Sequence, residues 1–162
     1  MSTATAPGTP KQEFLGVSGP LSRYIDELPS RAITVEAGAV SVNVGRVIDA
    51  LIMPAGFGGE VNRQLMQAML RVPIIVVPGS RTATSSRWVF LTRPRTQMRP
   101  STLADLVSAQ VGWYEVGAAI PLPGSGSTGG GPRWVQRPEA GLELPEWGAV
   151  VGAVRRTFSR AW

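Results

Sequence analysis

A chain of 162 residues with 43% hydrophobic and 17% charged residues is long enough for one packed domain and too apolar for wholesale disorder. It has no cysteine and no histidine, which excludes disulfides, thiolate and imidazole metal ligands, cysteine nucleophiles and any Ser-His catalytic arrangement. The net charge of +5 rests on 15 arginines and a single lysine, Lys11; arginine donates two parallel hydrogen bonds to a phosphate, so DNA or a nucleotide is a candidate partner. Codon usage in a GC-rich genome writes a similar Ala/Gly/Val/Arg-rich composition, so net charge alone does not settle a partner.

Residues 1–20 are rich in Thr, Ala, Pro and Gly without hydrophobic periodicity, which predicts a flexible tail and leaves 21–162 as a single domain. No apolar run approaches the roughly 20 residues that cross a bilayer, and the N-terminus lacks a charged-then-apolar leader. A cytoplasmic protein with no membrane partner is therefore expected. Leu21, Tyr24, Ile25 and Leu28 fall at helical spacing and stop at Pro29. From Ile33 to Val44 the apolar residues alternate on either side of Gly38, which predicts a strand broken by a turn.

Arg46–Met53 is a nearly continuous apolar run with one acid, Asp49, and reads as a central strand ending at Pro54. Gly56 to Gly59 then open a helix over Glu60–Arg71, with Val61, Leu65, Met66, Met69 and Leu70 inward and Arg63, Gln64, Gln67 and Arg71 outward. Pro73–Pro78 and Arg87–Thr92 read as strands, separated by a polar loop over Gly79–Ser86. Ser101 or Thr102 offers a cap for a short helix through about Ala109, with Asp105 near its positive end.

The stretch Gly112–Pro138 predicts a hairpin. Its arms are Trp113–Leu122 and Arg133–Arg137, and a Gly/Ser loop joins them. Pro145 and Glu146 open a last helix packed through Trp147, Val150, Val151, Val154 and Phe158, then Ala161 or Trp162, with Arg155, Arg156 and Arg160 outside. The sum is an α+β domain: a mixed or antiparallel sheet of about five to seven strands, with helices mainly on one face.

Asp49 is the candidate chemical residue, because a carboxylate in an apolar strand needs a cation, a metal or several donors. Two-metal phosphoryl transfer wants two or more converging carboxylates, and Ala50, Leu51, Ile52 and Met53 beside it supply none. An ion pair with an arginine such as Arg46 accounts for it without chemistry. The Gly124–Gly131 loop lacks the lysine of a P-loop and leads into a strand, so it fails as a phosphate cradle and reads as a hairpin tip. Arg93, Arg95 and Arg99 downstream of Trp88, and Arg133 and Arg137 flanking Trp134, interleave basic and aromatic residues as single-strand binders do. They are the candidate nucleic-acid contacts, set against the plainer reading of core tryptophans and solvated arginines.

The segments RVIDALIMPAGFGGEVNRQLMQAML, RWVFLTRP and VGWYEVGAAIPLPGSGSTGGGPRWVQRPEAGLELPEW together resemble the prim-pol domain, the N-terminal module of bifunctional DNA primase/polymerases, in its short actinobacterial form. The resemblance spans roughly Val44–Trp147 and lies in the order of pieces: an aspartate-bearing strand ending in Pro-Ala, a helix, and later a Pro-Leu-Pro, loop, Arg-Trp, Arg-Pro pattern before a Leu-Pro helix start. It implies a primase-like fold and, in active members, nucleotide transfer with divalent metals. Asp49 matches the family's first acidic position and thus its metal ligand, Ile52 stands where the second acid belongs, and the nucleotide-contacting histidine has no counterpart. The resemblance therefore implies the fold without the activity: a degenerate binding or regulatory module, without a cofactor, for DNA or a nucleotide. Two alternatives stay open. One is an active Mg2+- or Mn2+-dependent nucleotidyl transferase in which Glu36 or Glu115 converges on Asp49; the other is a protein-interaction domain with no nucleic-acid role.

Overall fold

The apolar run ending at Pro54 forms β3 (Asp49–Pro54), and its neighbours define the centre of the fold. The structure is a computed structural model that describes residues 20–79, 85–124 and 130–161. All but the last residue of the expected tail, the middle of the polar loop (80–84), the core of the Gly/Ser tract (125–129) and Trp162 lie outside these residues.

In chain order the elements are α1 (Pro20–Glu27), a single 3-10 turn (Ser30–Ala32), β1 (Ile33–Glu36), β2 (Ala39–Asn43), β3, α2 (Ala55–Gln67), β4 (Ile74–Val77), β5 (Arg87–Thr92), α3 (Pro100–Ser108), β6 (Gly112–Trp113), β7 (Ala119–Pro121), β8 (Arg133–Gln136) and α4 (Trp147–Arg160). The strands form a five-stranded antiparallel sheet of order β6-β3-β5-β4-β8 and a three-stranded antiparallel sheet of order β1-β2-β7. The fold class is α+β, as the sequence predicts.

Strand periodicity sorts the core into two layers. Leu51 and Met53 of β3, Ile74 of β4 and Phe90 of β5 face Val61 and Leu65 of α2, Leu106 of α3, and Trp147, Val150 and Val154 of α4. Ala50, Ile75, Val89 and Leu91 face the other way, onto Val42 and Ile120 of the small sheet, Tyr24 of α1 and Leu28 just after it. Three helices therefore cover one face of the large sheet, and the small sheet with α1 covers the other.

The hairpin expected over Gly112–Pro138 is not formed. Trp113 on β6 pairs with Leu51, Ile120 on β7 pairs with Val42 of the small sheet, and Trp134 on β8 pairs with Ile75 at the far edge of the large sheet. Strand composition was legible there, but the partner of each strand is a long-range choice that local pattern does not encode. The turn between β1 and β2 is a true two-residue hairpin. Ala37 and Gly38 both take positive φ, 51° and 80°, which gives the backbone twist that matches the strands.

Helix boundaries moved for identifiable reasons. The second helix starts at Ala55, directly after β3, rather than at Glu60, because its glycines serve close packing: a Cβ on Gly58 would lie 3.1 Å from Trp88 Cβ. It ends at Gln67 because Met69 turns into the left-handed region at φ 60°, and the Leu70 amide reaches back 2.9 Å to the Leu65 carbonyl. Met69 is left 89% exposed and Met66 58% exposed, while Gln64, expected outside, is buried. The α3 helix closes the same way, with Gln110 at φ 60° and a 2.9 Å bond from the Val111 amide to the Leu106 carbonyl. Its start is Pro100 with Arg99 in the cap position and no side-chain cap, so neither Ser101 nor Thr102 plays that part. The last helix begins at Trp147 rather than Pro145, and its buried stripe is Trp147, Val150, Val151 and Val154 with Ala153 and Thr157 added. In α1 Tyr24 is buried, as is Leu28 just past its end, and Ile25 is exposed rather than inward.

Candidate functional site

Asp49 opens β3 on the helix-covered face, opposite Thr92 at the end of β5, and is 1% exposed. A carboxylate taken out of water that completely must be repaid in hydrogen bonds, and four donors converge on it. The Ala50 amide donates to Oδ1 at 2.8 Å. Beyond β5 the chain folds back so that the Arg95 amide donates to Oδ2 at 3.2 Å, its Nε to Oδ2 at 2.5 Å and its Nη2 to Oδ1 at 3.0 Å. This is a two-pronged Arg–carboxylate pair, the strongest geometry the two groups have. Arg95 Nη2 also donates to the Tyr114 carbonyl, and its guanidinium lies 5.6 Å from the centre of the Trp147 ring. One side chain thereby joins β3, the segment after β5, the segment after β6 and the start of α4.

The arginine partner is not Arg46, which is exposed in the bend before β3. Sequence proximity suggested Arg46, whereas the fold brings in an arginine 46 residues away. Both carboxylate oxygens of Asp49 face donors, so a metal would have to displace the guanidinium to reach them. Among the described residues no group of three or more His, Cys, Asp or Glu side chains could hold a metal ion. Glu36 and Glu115 are both exposed and form no such group with Asp49. Ile52 lies on the opposite face of β3 and packs into the apolar layer beneath the small sheet.

The five candidate arginines do not gather. Arg93 is held to the segment before α4 through its amide, 2.8 Å from the Pro145 carbonyl, and pairs with Glu146 at 3.3 Å and Glu143 at 3.8 Å. Arg95 is the Asp49 partner. Arg137 sits on the other side of the large sheet, where Nε lies 3.0 and 3.1 Å from the two Glu27 oxygens and the guanidinium 5.3 Å from the Tyr24 ring centre. Arg99 and Arg133 are exposed and make no ion pair among the described residues. Of the expected phosphate contacts, three are spent on internal acids and two are left to solvent.

A second polar node was not legible in the sequence. Tyr24 donates its hydroxyl hydrogen to the Pro123 carbonyl and accepts from Trp134 Nε1 at 2.9 Å, tying α1 to the segments on both sides of the Gly/Ser tract. Burial pushes the Tyr24 phenol above its ordinary value near 10, against the opposing pull of the Trp134 hydrogen bond and the Arg137 charge. Burial likewise raises Tyr114, with the Arg87 charge opposing. Partners 99 and 110 residues apart leave no local pattern to read.

Two open clefts lie on the described surface. One, of about 380 Å3, lies between the end of α1 and the Gly141–Leu144 segment, with Asp26, Glu27, Glu143 and Arg93 around an apolar floor of Leu28 and Leu144. The other, of about 500 Å3, lies between β6 and the end of α3 and includes Arg87 and Gln110. No protein-family model, no curated protein and no solved structure matches this chain.

Proposed function

We propose that this chain is a prim-pol-like domain that lacks catalysis and works as a DNA-binding module. The observation that carries the reading is the state of Asp49. In a two-metal nucleotidyl transferase, carboxylates point at the ions and are left available to them. Here the position that matches the family's first acid is enclosed by its own amide neighbour and by three donors of Arg95, and the position of the second acid is Ile52. Such a carboxylate holds the fold together.

Binding to DNA is supported by the charge that internal pairing leaves over. Six described arginines are matched to carboxylates, whereas the other eight, Arg23, Arg31, Arg46, Arg87, Arg99, Arg133, Arg156 and Arg160, are exposed and form no ion pair among the described residues. With a net charge of +5, the surface suits a polyanion and contact through phosphates.

The test is fluorescence anisotropy with labelled DNA across a salt series, repeated with Mg2+ or Mn2+ and nucleotide. Four phosphate contacts would lower affinity on the order of a hundredfold between about 50 and 200 mM salt. No nucleotide incorporation is expected under any of these conditions. Affinity that ignores salt would contradict the DNA reading, and metal-dependent incorporation would contradict the loss of catalysis.

A further inference from the structure

Basic residues interleaved with tryptophans suggest a single-strand binder that stacks bases on aromatic rings. The fold removes the rings from that role. Trp147 is 1% exposed beneath Arg95. Trp88 lies against Gly58, where even a methyl group would come within 3.1–3.3 Å of it, and its other neighbour is Phe90 with ring centres 6.4 Å apart. Trp134 packs 6.0 Å from the Tyr24 ring, and Trp113 and Tyr114 pack against the two core layers. No Phe, Tyr or Trp is among the exposed large hydrophobic side chains of the described residues; Phe14 and Trp162 lie outside them.

Resting on the DNA-binding reading above, we infer that the chain binds double-stranded DNA in preference to single strands, through phosphates and without reading bases. A flexible single strand loses conformational freedom when it is held, and base stacking on aromatic rings is what normally offsets that loss. The described surface offers no such platform. A duplex is already ordered and carries one charge per roughly 1.7 Å of axis, so the same arginines release more counterions from it. The cations available for this are the exposed arginines without carboxylate partners among the described residues, including Arg99 before α3, Arg133 on β8, and Arg156 and Arg160 on α4. They come from separate elements, which suits a rigid, extended polyanion better than a short oligonucleotide.

The experiment compares a labelled duplex with each of its separated strands by anisotropy on the full chain, while following tryptophan emission. The duplex is expected to bind about tenfold more tightly or better, with little dependence on sequence and little quenching of tryptophan by either form. Arg99→Ala and Arg133→Ala are surface changes that leave folding intact, and each contact they remove lowers the salt slope by about one. Tighter binding of a single strand, or strong tryptophan quenching on adding it, would overturn this inference and leave the DNA-binding reading standing. Binding to neither form would overturn the DNA-binding reading itself.

Discussion

The Arg95 guanidinium is the polar junction of the helix-covered face of the large sheet. It satisfies a buried carboxylate, a backbone carbonyl and an aromatic face at once, and these belong to parts of the chain that share no local sequence. The sequence made Asp49 visible as a lone acid in an apolar run, but not its partner, because many arginines compete for that part and only folding selects one. Tyr24 makes a second residue-scale point through pH. Its phenol and that of Tyr114 are raised in the folded protein above the unfolded value near 10, so the native state holds these protons more tightly. Their contribution to stability is fully present below about pH 10 and declines as pH rises through the folded values. Urea unfolding is expected to show constant stability from pH 8 to 9.5 and a fall above about pH 10, shallower in Tyr24→Phe,Tyr114→Phe. An equally steep fall in that variant would contradict the assignment.

Among the elements, α2 shows most plainly how packing overrides propensity. Gly56, Gly58 and Gly59 lie in its first turns, where glycine costs helix stability, and only one of them has a clear structural reason. Gly58 faces Trp88 so closely that an added methyl must push the indole, whereas nothing lies within 4 Å of an added Cβ at Gly56. Gly58→Ala is therefore expected to cost about 1 kcal/mol net, overpacking outweighing the helical gain. Gly56→Ala is expected to gain up to about 1 kcal/mol. Chemical denaturation of the two variants checks the contrast, and a destabilised Gly56→Ala beside a neutral Gly58→Ala would refute it. The same element explains the misplaced boundary: Met69 takes the left-handed position that glycine normally marks, so the sequence carried no stop signal there.

For the whole molecule, the α+β class, most strands and the stripe of α4 were legible because periodicity and punctuation encode them locally. The pairing of β6, β7 and β8 was not, since three strands in one stretch of sequence serve three different partners in two sheets. The surplus of arginine was visible in composition, but which arginines are left for a partner depends on the internal pairs, and those are tertiary. The central claim is that Asp49 is a structural anchor and not a metal ligand. A double-mutant cycle of Asp49→Ala and Arg95→Ala, measured by urea unfolding with and without Mn2+, tests it most directly. Each single change is expected to cost about 2–4 kcal/mol by leaving its partner uncompensated, and the double change less than the sum by at least about 1 kcal/mol. Mn2+ leaves all four proteins unchanged. The claim is contradicted if Asp49→Ala is as stable as the parent and Mn2+ stabilises only the proteins that keep Asp49.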